Sequence, residues 1–238
     1  MIAVVSSTVA PSPLPSHDGA RTTLSPEQRL DQTRETVASL VALGATDIFI
    51  ADNSPGPWLR DRASVLAPAR VLHLNQPPIR NKGIGELWLL LGSLEVLPED
   101  APVLKISGRY RIGAGTGLAL REGDDIAARI QGGGATGEIS TRCYLVRNKS
   151  VAARLWQRSL DEVYAERSRI MGPRSLLRII RNSVRPGRDD FPYSDPNTLS
   201  LEQASYRAIG HLGLRMTPIA NLDVSGTLGS WTNPLVKE

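Results

Sequence analysis

The stretch Pro102-Val-Leu-Lys-Ile-Ser-Gly-Arg-Tyr-Arg111 decides how this chain is read. It opens as a buried strand, carried by Val103, Leu104 and Ile106, and it ends in Ser107-Gly108-Arg109-Tyr110-Arg111, which is polar and cationic. In open α/β sheets, ligands bind outside the carboxyl ends of the central strands. A cationic strand end there predicts an anionic ligand, such as a diphosphate, held without a metal.

The sequence before this segment reads as alternating strands and helices. Ile2 to Val5 is a first strand, and a Ser/Thr/Pro loop runs from Ser6 to about Thr23. Ser25-Pro-Glu-Gln28 announces a helix: Ser25 can cap, Pro26 suits the first helical position, and Gln28 completes a capping box. Leu30, Val37, Leu40 and Val41 fall on one helical face, and Gly44 follows as a C-cap. Asp47-Ile-Phe-Ile-Ala51 is the next strand, closed by the turn residues Asp52-Asn53-Ser54-Pro55-Gly56. Strand, helix and strand within sixty residues predict a βαβ unit with parallel pairing. Val71–Leu74 is a short third strand, Asn75–Gly83 a loop, and Ile84 to Leu97 a helix with Leu87, Leu90, Leu91 and Leu94 on its apolar side.

After the deciding segment come two glycine-rich stretches, Gly113–Gly117 and Gly132–Gly134. Ser140–Val146 reads as a strand. Helices are predicted from about Ser150 to Ile170 and from Pro173 to Val184, followed by a polar loop from Pro186 to Pro196. Ser200 can cap a further helix, Leu201 to Ile209, with Glu202 in its first turn. Leu212 to Pro218 reads as a late strand, and Val224–Ser230 as a glycine-containing tail. The organisation predicted is one α/β domain with a mostly parallel, helix-flanked sheet.

Composition narrows the function. The chain is 41% hydrophobic and 22% charged, ordinary for a globular protein, and no segment approaches the ~18 consecutive apolar residues of a membrane span. The N-terminus lacks a positive region and reads as a strand rather than a signal peptide. A single cysteine, Cys143, excludes a disulfide framework and a cysteine metal cluster, and fits a reducing cytoplasmic compartment. The net charge of +4 is uneven: residues 101–188 hold 17 Lys+Arg against 7 Asp+Glu, mostly as arginine. Arginine favours bidentate recognition of phosphate. That stretch reads as a solvated helical face or as a surface for an anionic substrate, an anionic membrane or nucleic acid. An aromatic content of 5% argues against a platform for stacking single-stranded bases.

Several motifs bear chemistry, each beside a purely structural explanation. Asp52 and Asn53 suit a base or a ribose hydroxyl, or else cap the strand in an Asx-type turn. Asn81-Lys82-Gly83-Ile-Gly85-Glu86 opens a helix whose unpaired N–H groups suit phosphate, with Arg80 and Lys82 adding charge, though it lacks the run of a Walker motif. Gly113-Ala-Gly-Thr-Gly117 lacks the last spacing of a dinucleotide fingerprint. His17, His73 and His211 are scattered, and Asp124-Asp125 and Asp189-Asp190 are adjacent pairs that chelate one ion poorly, so no metal site is expected. Glu202 is the preferred general base, and its alternative role is a glutamate favoured by the helix dipole.

Taken together, this order resembles a GT-A type glycosyltransferase. Ile2–Ser7 is similar to the opening strand, Asp47–Ser54 to the element that contacts the nucleoside, and Asn75–Leu91 to a loop before a long helix. Val103–Arg111 stands where the family keeps its Asp-x-Asp strand. Lys-Ile-Ser-Gly-Arg-Tyr resembles a variant found in bacterial enzymes of surface-polysaccharide assembly, lipopolysaccharide included. The resemblance covers residues 1–112, and residues 140–230 more loosely, and it implies a single GT-A-like, Rossmann-like domain with residues 1–112 as its nucleotide-sugar half and residues 113–238 as its acceptor half. It implies an inverting transfer from a nucleotide-activated sugar to a bacterial glycan or lipid-linked acceptor. The donor would meet Ser6, Asp52, Asn53, Asn81, Lys82, Lys105, Ser107, Gly108 and Arg109, and the acceptor Tyr110, Arg111 and Tyr193. Glu202 would be the base, with Asp189, Asp190 or Asp195 as replacements. Because Ser107-Gly108-Arg109 replaces Asp-x-Asp, Lys105, Arg109 or Arg111 would supply the charge of the missing metal, so no cofactor is expected. The enzyme would be cytoplasmic, at the inner face of the membrane where the arginine-rich region 142–188 touches it. The competing readings are a nucleotidyl- or phosphoribosyl-transferase on a related sheet and a basic binding module without activity.

Overall fold

The computed structural model describes residues 1–11, 24–76, 82–168, 173, 177, 199–227 and 235–237. Seven strands form the main sheet, in the order β3-β2-β1-β4-β7-β6-β8. They are β1 Ile2–Ser7, β2 Asp47–Asp52, β3 Arg70–His73, β4 Val103–Ser107, β6 Ile126–Gln131, β7 Glu138–Val146 and β8 Met216–Pro218. The pairs β3–β2, β2–β1, β1–β4 and β6–β8 are parallel; only β7 runs against its neighbours. A second, three-stranded antiparallel sheet joins β5 Tyr110–Ile112, β9 Val224–Thr227 and β10 Leu235–Lys237.

The apolar runs make the sheet by alternation. On one face Ala3, Val5, Ile48, Ile50, Leu104 and Ile106 pack against Leu30, Val37 and Leu40 of α1, Pro26–Ala42. On the other, Ile2, Val4, Phe49 and Val103 meet Ile84, Leu87 and Leu90 of α2, Lys82–Ser93, and beyond them Val151, Leu155 and Trp156 of α3, Lys149–Ser168. Fully burying one such side chain contributes about 1.5–3 kcal/mol, so two cores on opposite faces of one sheet hold the domain. α4, Leu201–Leu212, packs against α3 and β7.

The capping box at α1 is present: the Ser25 hydroxyl accepts from Gln28 N (3.2 Å), and the Gln28 side chain accepts from Ser25 N (2.9 Å). Ser200 caps α4 by accepting from Gln203 N at 3.1 Å. Three expectations change. Val41 is 46% exposed, because the core-facing stripe of α1 ends at Leu40. The helix expected to reach Leu97 ends at Ser93 and tightens into a 3₁₀ turn, Leu94–Val96. The tail at Val224 is a strand, because β5 and β10 pair with it from both sides. The strand Ile126–Gln131 escaped the sequence reading; with Ala127, Ala128 and Arg129 between its two isoleucines, its apolar signal is weak. The expected helix from Pro173 to Val184 lies outside the described residues, apart from positions 173 and 177.

The deciding segment is two strands rather than one. β4 ends at Ser107, and the chain leaves the main sheet at Gly108 to start β5 in the second sheet. Gly108 N donates to Ser6 O (2.9 Å), and its own carbonyl accepts from the Thr33 hydroxyl of α1 (3.1 Å). A Cβ at Gly108 would lie 3.2 Å from Ser7 Oγ and from Val5 Cγ1, closer than the neighbours allow without moving. The sheet switch therefore turns on a glycine pressed against β1.

Candidate active site

α1 covers one face of the main sheet and α2 the other, and the two helices diverge above the carboxyl ends of β1 and β4. That divergence is the topological switch point of an open α/β sheet, where a crevice forms. A cleft with a volume of about 130 Å³ occupies it. Ser6, Asn53, Lys82, Ser107, Gly108 and Arg109, six of the residues assigned to the donor from sequence, line this cleft together.

Each is placed by its own element. Ser6 and Ser107 end adjacent parallel strands and are register partners. Asn53 follows β2 and is fixed on both sides of its amide: its oxygen accepts from the Thr8 hydroxyl (2.6 Å) and its nitrogen donates to Gln76 Oε1 (3.1 Å). Lys82 opens α2, whose N-terminal N–H groups and dipole favour an anion. Arg109 lies just past the Gly108 turn, and among the described residues its guanidinium has no hydrogen-bond or ion-pair partner. An unpaired arginine in a crevice is a ready contact for a carboxylate or phosphate.

Three of the other lining residues bring polar side chains to which the sequence reading gave no role. Arg29 and Thr33 come from α1, four apart and so on one helical face, and Glu86 comes from the first turns of α2. Thr33, one of two threonines (with Thr36) buried among the apolar residues of the α1 face, was the signal for the first pair. Glu86 was quoted within the helix opening, but nothing local shows what it pairs with.

Its partner is Lys105. The Lys105 side chain is fully buried, and its ammonium forms an ion pair with Glu86 Oε1, donates to the Thr141 carbonyl, and donates to Ser107 Oγ at 3.2 Å. Glu86 Oε1 also accepts from the hydroxyls of Ser6 (2.7 Å) and Ser107 (3.2 Å). Burial pushes the Glu86 carboxyl up, but the Lys105 charge and hydrogen bond, the Ser6 hydroxyl and the Arg109 charge outweigh it and hold the group below its ordinary value. The Lys105 ammonium is therefore taken up by Glu86, Thr141 and Ser107 behind the cleft, as the counter-ion of a carboxylate that does line it.

Other expected site residues are also elsewhere. Asp52 is fully buried and works as the turn cap: Oδ2 accepts from Val9 N (2.9 Å) and Oδ1 from Ser54 N (2.7 Å), and burial raises its carboxyl above the usual value despite these bonds. It does not reach the cleft. Tyr110 is 3% exposed within the core on the α1 face, with the Arg142 guanidinium 5.8 Å over its ring. Arg111 points outward and pairs with Glu35 at 3.7 Å. Glu202 stands outside the cleft lining, where its carboxylate accepts from the Thr141 hydroxyl at 2.7 Å. Asn81, Asp189, Asp190, Tyr193 and Asp195 lie outside the described residues.

The solved structures to which the chain is similar share its α/β architecture. The nucleoside-diphosphate-sugar pyrophosphorylase of Vibrio cholerae aligns at 12% identity and a TM-score of 0.44, covering 92% of this chain and 91% of that one. The galactosyltransferase LgtC, in complex with donor and acceptor sugar analogues, aligns at 12% identity and a TM-score of 0.47, covering 88% and 70%. The glycosyltransferase GlyE of Streptococcus pneumoniae aligns at 13% and 0.45, covering 91% and 44%. No protein-family model matches the chain, and neither does any curated protein. With TM-scores below 0.5, these likenesses carry no argument about activity, which rests on the cleft.

Glu86 is the carboxylate that the described residues bring to the cleft. Hard cations take several oxygen ligands, commonly carboxylates. Among the described residues no group of three or more histidines, cysteines or acids gathers anywhere, and Glu86, the carboxylate lining the cleft, is already neutralised by Lys105. Gly113–Gly117 is likewise no dinucleotide loop. A Cβ at Gly113 would lie 2.0 Å from Asp223 Oδ2, an oxygen that accepts from Gly115 N at 2.9 Å, so these glycines admit the loop before β9. Cys143 is buried beside β4, and its thiol is pushed up to about 12, which makes it inert core filler.

Proposed function

We propose that this protein is a glycosyltransferase that moves a sugar from a nucleotide-activated donor to a bacterial glycan or lipid-linked acceptor, with inversion and without a metal. The observation that carries the reading is the unpaired Arg109 guanidinium in a switch-point cleft that also holds Lys82, Arg29 and the start of α2. This collects positive charge where a donor diphosphate would lie and where leaving-group charge would develop. Fixed cations aimed at developing charge are an effective catalytic device.

In the reaction, an acceptor hydroxyl oxygen attacks the anomeric carbon and a new C–O bond forms. The bond from that carbon to the phosphate oxygen breaks, and its electron pair leaves with the nucleoside diphosphate. The hydroxyl proton passes to a carboxylate, for which Glu202 is the choice and Asp190 the alternative. The acceptor hydroxyl has to come within about 3 Å of that base. Thr141 orients the Glu202 carboxylate: its hydroxyl donates to Glu202 Oε1 at 2.7 Å, while its carbonyl holds Lys105 behind the cleft. Asn53 would meet the nucleoside. The arginine-rich region would face an anionic acceptor or the inner face of a membrane; no helix among the described residues is long and apolar enough to cross one.

A thermal-shift screen across UDP-, GDP-, CMP- and TDP-linked sugars, with and without EDTA, tests donor binding, because a ligand that binds the native state raises the melting temperature. Transfer to acceptor should persist in excess EDTA. Complete loss with EDTA, restored by manganese or magnesium, would overturn metal independence. Release of pyrophosphate in place of a nucleoside diphosphate would assign the protein to nucleotidyl transfer instead.

A further inference from the structure

Glu86 is out of place in a site for a bare anion. It lines the same cleft as Arg109, Lys82 and Arg29, its side chain is 23% exposed, and Lys105 keeps it ionised. A carboxylate facing a phosphate would repel it. Every contact that the described residues make to this group falls on one oxygen: the Lys105 ammonium and the hydroxyls of Ser6 and Ser107 all meet Oε1. Oε2 accepts nothing from the described residues. An ionised carboxylate oxygen takes only donors, and the neutral donors of a nucleotide-linked sugar are its sugar hydroxyls and the N–H groups of its base.

We infer that Glu86 Oε2 is the acceptor for a sugar hydroxyl of the ligand, so that the cleft selects a phosphorylated sugar over a bare phosphate. Arg109 takes the phosphate and Glu86 takes the hydroxyl. Lys105 and the two serines hold Glu86 by its other oxygen, which leaves Oε2 in a fixed place. Lys105 is thus a positioning residue, and the buried ion pair confers selectivity. This inference rests on the cleft being the donor site, and it names the recognition within it. The hydroxyl belongs either to the ribose of a nucleotide or to the transferred sugar, and both offer the same chemistry.

Calorimetric titration separates these possibilities, with three probes: inorganic pyrophosphate, the four ribonucleoside diphosphates, and the corresponding nucleotide-linked glucoses. Wild type should bind at least one nucleotide more tightly than pyrophosphate. Glu86→Gln should cut that preference about tenfold while leaving pyrophosphate affinity within about threefold, the size expected for losing one charge-assisted hydrogen bond. A loss shared by all four diphosphates places the hydroxyl on ribose, and a loss confined to the sugar-linked forms places it on the transferred sugar; a loss that follows one base would assign the contact to a base N–H and overturn the assignment. Because Glu86→Gln strands a buried ammonium, the double variant Glu86→Gln/Lys105→Met, which removes both charges, should show the same lost preference in a well-folded protein. An unchanged preference in both variants, an equal loss for all three probes, or a wild type without preference would overturn the assignment. Sugar transfer is read separately: a preference that depends on Glu86 without any transferred sugar keeps this inference and removes the proposed function.

Discussion

Lys105 and Glu86 form an ion pair between β4 and α2, with the lysine side chain wholly buried and the glutamate at the wall of the cleft. The pair joins the central strand to the helix that opens the site. Its geometry follows from alternation. Lys105 shares the face of Val103, which is the α2 face of the sheet, and Tyr144, its register partner on β7, lies with its ring centroid 5.7 Å from the ammonium.

Breaking this pair from one side leaves an uncompensated charge inside the protein. Lys105→Met should lower the unfolding free energy by about 3–5 kcal/mol, the usual cost of removing one partner of a buried pair. Glu86→Gln/Lys105→Met should recover most of that loss. Urea denaturation followed by circular dichroism measures both, and equal stabilities for the single and double variants would contradict the pairing.

Stability should also depend on pH through two carboxylates of opposite sign. Glu86 titrates below its ordinary 4.5 in the fold, so it contributes stability above that value that is lost as pH falls through the lowered one. Asp52 titrates above its ordinary 3.8, so the contribution of its protonated form is present below 3.8 and is lost as pH rises through the raised value. In urea midpoints taken from pH 3 to pH 7, Glu86→Gln should flatten the acid loss of stability, and Asp52→Asn should steepen it.

Arg109 should matter to ligands and not to folding. Among the described residues its guanidinium makes no hydrogen bond or ion pair and acts on Glu86 only through its charge, so Arg109→Ala should change stability by no more than about 0.5 kcal/mol. Donor affinity or turnover should fall at least tenfold, in line with a lost charge-assisted contact to phosphate of about 1.5–3 kcal/mol. Arg109→Lys should recover part of it. Wild-type turnover in Arg109→Ala would take this residue out of the site.

Gly226 is the backbone constraint on that same arginine. A Cβ there would lie 2.2 Å from the Arg109 carbonyl oxygen and 2.6 Å from Tyr110 Cδ1, so β9 fits against β5 only without a side chain. Gly226→Ala should cost about 1–3 kcal/mol through overpacking and should weaken donor binding by displacing Arg109. Stability and affinity measured on one preparation test both effects.

The residues legible in sequence are those whose role is local. The Ser25 capping box, the Ser200 cap and the apolar runs of β1, β2 and β4 are read within a few residues, because caps and buried strands are made by neighbours in the chain. Arg109 was legible for the same reason: a cation directly after a buried strand has to emerge at its carboxyl end. Asp52 was legible as to place but not as to use. The turn that follows β2 calls for an acceptor, and the amides of Val9 and Ser54 fill it from two loops that only the parallel pairing of β1 and β2 brings together.

By itself the sequence determined a parallel α/β sheet and a cationic end on its central strand, since burial pattern and capping are properties of short segments. Only the tertiary structure decided what the two cations of that strand do. Lys105 and Arg109 stand four residues apart, but the chain switches sheets between them at Gly108. The first is left within the main sheet, turned toward α2 and matched by Glu86. The second is carried out over the cleft. Which face of a strand meets a carboxylate depends on the helix packed against it, and that helix lies twelve to twenty-three positions before Lys105, with Glu86 nineteen away, beyond the reach of any local pattern.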